Sequence, residues 1–260
     1  MTVLQTISAL SAAQNVLYIV LTAKLWRDGL VSKYRLFAWY MMLQLVSGLA
    51  RVAFTQPGTT EYAVFYFVSQ PFLILGAFLA ISEVYNLVLK DRPGIAAMGK
   101  KFLPASVVLA VLLSGMTLFI RWSGEKSRFP FLEAYITSEH FLYGSILLVV
   151  LLISAFLLWF PVPLSRNVVA HSALFACYLL IHTVTRIFVV ARGSEAVKYA
   201  NIVQLSCSVA CLMIWIVLLS PKGDRVMVKA GAPHWSPEQE RHLLTQLDAL
   251  NATLQNSVKK

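Results

Sequence analysis

Residues 198–219 read KYANIVQLSCSVACLMIWIVLL, and after Lys198 no charged residue follows until Lys222. A helix needs about 20 apolar residues to cross roughly 30 Å of hydrocarbon. Because lipid offers no partners to backbone polar groups, only a self-satisfied structure such as a helix can cross it. This stretch is therefore predicted to be a membrane-spanning helix.

The same pattern recurs along the whole chain. Hydrophobic residues make up 58% of the sequence and charged residues only 13%, whereas about a quarter of a soluble domain is charged. Seven stretches have spanning length, namely 3–23, 36–54, 62–89, 103–120, 136–159, 168–190 and 198–219. The predicted fold class is all-α, a polytopic membrane helix bundle with seven transmembrane helices.

Basic residues concentrate in alternate connections between these spans. The first connection holds Lys24, Arg27, Lys33 and Arg35, and the third holds Lys90, Arg92, Lys100 and Lys101. Cytoplasmic loops carry the excess of Lys and Arg, so the N-terminus is predicted outside and the C-terminus in the cytoplasm, most simply across a plasma (inner) membrane. The net charge of +10 then reflects topology and contact with anionic headgroups, and no nucleic-acid-binding motif accompanies it.

The charge and hydropathy pattern divides the chain into three regions. Residues 1–220 form the transmembrane domain, 221–235 a cytoplasmic linker, and 236–260 a short cytoplasmic helix. Ser236 followed by Pro237 is typical of a helix start. Leucines at 243, 247, 250 and 254 are spaced by four, three and four residues. They predict either a coiled-coil seam or an amphipathic helix that lies on the membrane or on the bundle, and so a homodimer or a cytoplasmic partner.

Ionisable residues inside a span are costly and mark candidate sites. The predicted topology brings polar residues of four spans to one depth near the outer face. They are Arg51, Glu139, His140, His182, Arg186, Asn201 and Gln204. Two arginines against one glutamate leave a surplus of positive charge, which predicts an outward-facing pocket for a small anionic ligand such as a carboxylate. The alternative is structural, with Arg51 or Arg186 paired to Glu139 between helices.

A second polar group is predicted near the inner face. Glu83 lies near the inner end of the third span, and His171 near the inner end of the sixth. A contact between them would respond to pH or form half of a proton path. The alternative is that Glu83 pairs with a basic loop residue such as Lys90 or Arg92.

Cofactor chemistry has little support in the sequence. Cys177, Cys207 and Cys211 all lie inside predicted spans, so they do not indicate a disulfide framework. Cys207 and Cys211 share a helix face, but no third metal ligand is evident near them, and no metal site is predicted. A haem between His140 and His182 is the alternative to hydrogen-bonded structural histidines.

The function predicted is that of a non-enzymatic receptor or sensor, because HExxH, GxSxG and Walker A motifs are all absent from the sequence. A ligand or a membrane state would shift the helices, and the cytoplasmic helix would report the shift by association. Two alternatives stay open. One is a small transporter or channel, in which Glu83 and His171 continue a path inward, and the other is a membrane redox subunit with a haem or a quinone.

Overall fold

The computed structural model describes residues 3–54, 59–90, 92–97, 142–152, 163–192, 196–229 and 236–258, with isolated positions between 105 and 159. Most of these residues are helical. The helices are α1 (Val3–Arg27), α2 (Arg35–Phe54), α3 (Thr60–Val88), α4 (Leu142–Leu152), α5 (Arg166–Arg192), α6 (Ala196–Leu218) and α7 (Pro237–Val258). A 3-10 turn, Leu30–Ser32, precedes α2. The fold class is therefore all-α, as predicted.

Four of these helices are long and apolar enough to cross a membrane: α1, α3, α5 over Arg166–Val189, and α6. This finding indicates a membrane protein. Helices α1, α2, α3, α5 and α6 coincide with the predicted first, second, third, sixth and seventh spans to within four residues at each end. The predicted span 103–120 lies almost wholly outside the described residues, and α4 covers part of the span predicted at 136–159.

Five helices pack into a closed ring. Helix α1 contacts α2 and α6, α2 contacts α3, α3 contacts α5, and α5 contacts α6. Aromatic side chains fill the inside of this ring, and Tyr34, Phe37, Phe175 and Trp215 are each at most 3% exposed. Apolar burial gives little driving force between helices in lipid, so tight packing and polar contacts must fix how the helices sit together.

Glycines allow two of these helix pairs to approach closely. A side chain at Gly48 of α2 would overlap the amide oxygen of Asn15 on α1, and a Cβ at Gly76 of α3 would lie 3.1 Å from the Tyr40 ring of α2. Small residues play this role widely in membrane helix packing. Helix α2 is thus held closely between α1 and α3.

Two short strands add a small exception to the helical fold. Pro163–Ser165 (β1) pairs antiparallel with Met227–Lys229 (β2), and Leu164 lies opposite Val228. The Arg166 N–H then donates to the Val226 carbonyl at 2.9 Å. The described part of the segment predicted as a linker is therefore fastened to the start of α5. Strands of three residues leave no alternating pattern in a sequence, so this pairing was not predicted.

Glu83 ties α3 to the start of α2. Its Oε1 accepts the Leu36 N–H and its Oε2 accepts the Phe37 N–H, each at 3.0 Å. The first N–H groups of a helix have no partner within the helix, and the helix N-terminus carries a partial positive charge. The carboxylate therefore acts as a helix cap supplied by a neighbouring helix.

The partners predicted for Glu83 were His171, Lys90 or Arg92. Both carboxylate oxygens are instead taken by the α2 backbone, and Arg92 forms an ion pair with Asp248. The difference has a physical reason, because backbone donors have no signature in the sequence and only the fold places the α2 N-terminus beside α3.

We predict that Glu83→Ala lowers the free energy of unfolding by about 3 kcal/mol, because two charge-assisted hydrogen bonds are lost and two part-buried donors lose their partner. Glu83→Gln should lose less, since its amide oxygen still accepts one bond. The measurement is denaturant unfolding of the purified protein in detergent, followed by circular dichroism. Asn86→Ala, one turn further along α3 at an exposed position, is the matched control. Equal stability of Glu83→Ala and the control would contradict the capping role.

Candidate functional site

The outer polar residues occupy different environments. On α2, Gln44 and Ser47 are buried, and the Gln44 amide donates to the Tyr40 hydroxyl at 2.8 Å. Arg51, half-buried near the end of the helix, donates from Nε to the Ser47 carbonyl one turn back at 3.3 Å. This stripe therefore turns into the bundle, and its arginine bends back along its own helix.

The other members of the predicted outer set are spread over α5 and α6. His182 of α5 is 3% exposed, and its ring centroid lies 4.0 Å from that of Tyr143 on α4. On α6, Gln204 is half-buried and Asn201 is exposed. Glu139 and His140 lie outside the described residues, as does the side chain of Arg186. The ligand pocket predicted from these residues therefore stays a prediction.

A compact polar cluster at the opposite end of the bundle was not predicted. One oxygen of Asp224, Oδ1, accepts hydrogen bonds from the Tyr34 hydroxyl at 2.6 Å and the Asn167 amide at 2.9 Å, and forms an ion pair with Lys33 at 3.0 Å. Lys33 and Tyr34 precede α2, Asn167 begins α5, and Asp224 follows α6. The carboxylate thus joins the ends of three helices. We call Lys33, Tyr34, Asn167 and Asp224 the Asp224 cluster.

Asn167 completes this cluster from the start of α5. It is fully buried, and its amide donates to the Ser220 carbonyl at 2.8 Å while its Oδ1 accepts the Ser220 N–H at 3.4 Å. Any side chain at Gly223 would overlap that same Oδ1. The turn after α6 therefore needs glycine at this position so that Asn167 can bind it.

The environment of Tyr34 favours its neutral form. Burial, followed by the hydrogen bond to Asp224 and the negative charge of that carboxylate, raises the pKa of Tyr34 above its usual value. A buried phenol that loses its proton beside a carboxylate would place two negative charges together. The hydroxyl therefore serves as a fixed donor to Asp224.

His171 lies one helical turn after Asn167 on α5, inside an aromatic cage. It is fully buried. Its ring centroid is 4.4 Å from Phe37, 4.7 Å from Tyr34, 6.2 Å from Trp215 and 6.3 Å from Phe175. Within the described residues, neither of its ring nitrogens has a hydrogen-bond partner, and the same holds for the Trp215 indole N–H. Buried polar groups rarely lack a hydrogen-bond partner, so three such atoms in one cage are unusual.

Glu83 and His171, predicted as an inner pair, are linked indirectly. The Phe37 N–H binds the Glu83 carboxylate at 3.0 Å, and the Phe37 ring packs edge-on against His171. Both side chains therefore contact the first turn of α2 through the same residue.

The three cysteines come together between α5 and α6. Their Sγ atoms lie within 4.8 Å of one another, and the Cys207 and Cys211 sulfurs are 3.9 Å apart. The third sulfur, which the sequence did not reveal as a neighbour of the other two, is that of Cys177. The start of α5, Arg166, and the end of α6, Leu218, lie at the same end of the bundle. Cys177 lies 11 residues after Arg166 and Cys207 lies 11 residues before Leu218, so counting residues along the two helices would have placed both cysteines at one depth.

The C-terminal helix α7 folds back on the chain that leaves α3. Asn251 Oδ1 accepts the N–H groups of Gly94 at 2.8 Å and Ile95 at 3.3 Å, which caps the short helical segment 93–97. Arg92 pairs with Asp248. Leu247 is fully buried, whereas Leu250 is 49% exposed. The predicted leucine seam is therefore divided between contact with the same chain and an open surface.

The start of α7 follows the pattern in the sequence. The Gln239 N–H donates to Ser236 Oγ at 3.3 Å, and the Ser236 N–H donates to Gln239 Oε1 at 2.9 Å. This reciprocal pair is a capping box. It makes Pro237 the first residue of the helix and gives α7 a defined beginning.

These features define the chain as an all-α membrane protein whose helix ends are joined by polar contacts at one end of the bundle. No family model, curated protein or solved structure matches the sequence. The function must therefore be inferred from the geometry of the Asp224 cluster, the aromatic cage and the docked α7.

We predict that Tyr34→Phe lowers the free energy of unfolding at neutral pH by about 2 kcal/mol, the usual size of a hydrogen bond to a charged group. The native pKa of Tyr34 is raised, so its contribution is fully present below the unfolded value of about 10 and is lost as pH rises above it. The difference in free energy of unfolding between wild type and Tyr34→Phe should therefore become smaller at alkaline pH. Unfolding in detergent, measured from neutral pH to about pH 11, gives both results.

The matched control for Tyr34→Phe is Tyr199→Phe, which removes a hydroxyl from a side chain that is 64% exposed. It should match wild type at every pH. A constant gap between Tyr34→Phe and wild type across the alkaline range would contradict the role assigned to the Tyr34 proton.

Proposed function

We propose that this chain is a non-enzymatic membrane sensor or receptor with seven spans, an outside N-terminus and a cytoplasmic C-terminus. It passes a rearrangement of its helices to α7, which then associates with a second copy or a cytoplasmic partner. The observation that carries this proposal is the docking of α7 onto residues 92–97 through Asn251 and Asp248, with Leu247 buried on the same helix. An output helix held by its own bundle is poised to be released.

The distribution of charge supports the proposed orientation. Basic residues outnumber acidic ones among the described residues at the Asp224 end of the bundle, and they include Lys24, Arg27, Lys33, Arg35, Lys90, Arg92, Arg166, Lys222 and Arg225. The ends of α1, α3 and α6 and the starts of α2 and α5 meet there. Because the basic excess marks the cytoplasmic side, this end is assigned to the cytoplasm together with α7.

The inner contacts supply a route from the spans to α7. Glu83 fastens α3 to the first turn of α2, and the Asp224 cluster fastens that turn to α5 and α6. The chain then leaves α3 directly into the segment that binds Asn251. A displacement of α3 relative to its neighbours would therefore move Gly94 against α7. Coupling of this kind needs an element with two arrangements, and α7 is that element.

Release of α7 would change which of its leucines are open to a binding partner. In the docked state Leu247 is buried and Leu250 is half exposed. In the released state the leucines at 243, 247, 250 and 254 form one seam, which suits a two-stranded coiled coil. Docking and association would then compete for Leu247, and the input site would set the balance between them.

The input is assigned to the outer end of the bundle. Arg51, with Gln44 and Ser47 buried below it on the same helix face, offers a cation beside a polar interior. The predicted ligand is a small anion such as a carboxylate. The outer ends of α5 and α6 complete the proposed site with His182, Arg186, Asn201 and Gln204.

We predict that Asn251→Ala raises the dimeric fraction of the full chain. Loss of two hydrogen bonds to the 93–97 segment should favour the released helix by about 1–3 kcal/mol, roughly 5- to 150-fold in the docking equilibrium. Leu250→Asp should lower the dimeric fraction, because it places a charge in the seam while Leu247 keeps its docked contact. Sedimentation velocity in detergent and cross-linking in vesicles measure both changes.

Asn256→Ala is the matched control, because it makes the same substitution at an exposed position on α7, and it should behave as wild type. Unchanged association in Asn251→Ala and Leu250→Asp alike would exclude α7 as the output. Lower association in Asn251→Ala would mean that the docked form is the associating one, which contradicts competition for Leu247.

A further inference from the structure

The three sulfurs form a compact group that the proposed sensor function does not use. The chain has three cysteines, and the fold brings all of them to the contact between α5 and α6. Cys177 is exposed, Cys207 is half-buried and Cys211 is buried. All lie in the middle part of apolar helices, away from the charged ends. Their grouping is independent of the docking of α7.

We propose that Cys177, Cys207 and Cys211 form a three-thiol binding site for a soft, thiophilic ion, with a trivalent metalloid such as arsenic(III) favoured over Cu(I) or Zn²⁺. Soft ions select thiolate ligands, and three sulfurs from two packed helices provide a complete trigonal set. The site goes beyond the proposed function, because it joins α5 to α6 within the membrane.

The distances suit this coordination. Three sulfurs bonded to one ion at about 2.3 Å lie about 4 Å from one another in a planar set, and about 3.3 Å apart at the near-right angles of trivalent arsenic. The Cys207 and Cys211 sulfurs are already 3.9 Å apart, and no pair exceeds 4.8 Å. The remaining adjustment is at most about 1.5 Å, which is shared between two side chains and is supplied by changes of torsion within their rotamer wells.

Charge decides which ion is favoured. A net charge in hydrocarbon is costly, so the most stable adduct in the middle of a span is an uncharged one. Three thiolates around a trivalent centre sum to zero charge. The same ligands leave a charge of minus two around Cu(I) and of minus one around Zn²⁺. The site therefore selects for the trivalent ion.

The binding reaction balances without an oxidant. Arsenite is the uncharged arsenic trihydroxide, which enters an apolar region more readily than an ion does. Three arsenic–oxygen bonds and three S–H bonds break, and three arsenic–sulfur bonds form. Each hydroxide leaves as water with one thiol proton, and arsenic stays trivalent throughout.

Helix geometry keeps the thiols available for this reaction. Cys207 and Cys211 are four residues apart on α6, and the Cβ atoms of such pairs are about 5–6 Å apart. A disulfide needs about 3.5–4.5 Å, so the intact helix disfavours that bond. A reagent that bridges two thiols can still use this pair, and the contribution of Cys177 is therefore the decisive test.

The experiment titrates the purified full chain with arsenite under reducing, oxygen-free conditions in detergent. Bound arsenic is measured by mass spectrometry after gel filtration, and free thiols are counted by maleimide labelling. We expect one arsenic per chain and protection of all three thiols. Cys177→Ser should weaken arsenite binding by on the order of 100-fold, since even outer-shell changes cost about 10- to 100-fold in metal affinity.

Two controls keep the result interpretable. Met213→Leu removes an exposed thioether on α6 and should leave arsenite binding unchanged. Phenylarsine oxide, which needs two thiols, should still bind Cys177→Ser, and an unchanged circular dichroism spectrum shows that the variant is folded. Arsenite binding by Cys177→Ser equal to that of wild type, or no binding by wild type, would overturn the site. Displacement of bound arsenic by one equivalent of Cu(I) would overturn the assigned selectivity.

Discussion

The hydrogen bonds of one carboxylate, Asp224, set the arrangement of the helices around it. In lipid each helix satisfies its own backbone, so backbone bonding leaves neighbouring helices free to slide and rotate. Asp224 removes that freedom at one end, because Tyr34, Lys33 and Asn167 all reach the same oxygen. The start of α2, the start of α5 and the end of α6 are thereby fixed in register. Loss of one partner would leave a charge with fewer donors, so the cluster holds together as a unit.

The aromatic cage around His171 depends on that register. Two unpaired ring nitrogens and an unpaired indole N–H cost about 1–3 kcal/mol each. Ring contacts contribute about 0.5–1.5 kcal/mol per pair beyond their burial, and His171 makes four of them. The cost of the unpaired polar atoms and the gain from the ring contacts are of similar size. The cage therefore depends on the helix contacts around it, such as the Asp224 cluster, to stay in place. Phe37 connects α3 to this cage, because its N–H binds Glu83 and its ring packs against His171.

Helix positions could be predicted from the sequence, whereas the contacts between helices could not. The bounds of α1, α2, α3, α5 and α6 follow from runs of apolar residues, a local property. The roles of Glu83 and Asp224 depend on which helix ends become neighbours, and the partners of Glu83 are backbone groups that every residue carries. Cys177 falls between these cases. The sequence shows that Cys177 and Cys207 lie the same number of residues from neighbouring helix ends. This becomes useful only once α5 and α6 are known to pack together. Glu139 and His140 lie outside the described residues, so the outer pocket rests on the sequence alone.

The contacts that hold α7 are few, as its proposed release requires. The Arg92–Asp248 pair contributes at most about 1 kcal/mol, because the Asp248 side chain is 57% exposed. Burial of Leu247 contributes about 2 kcal/mol, and the two hydrogen bonds to Asn251 add about 1 kcal/mol each. Against these stands the conformational entropy of the residues that docking orders, about 1–2 kcal/mol for each of them. The net preference is therefore small, and a ligand with a differential affinity of a few kcal/mol could reverse it. A strong structural joint would have needed a longer apolar contact than one buried leucine, so the weakness of this contact favours a signalling role for α7.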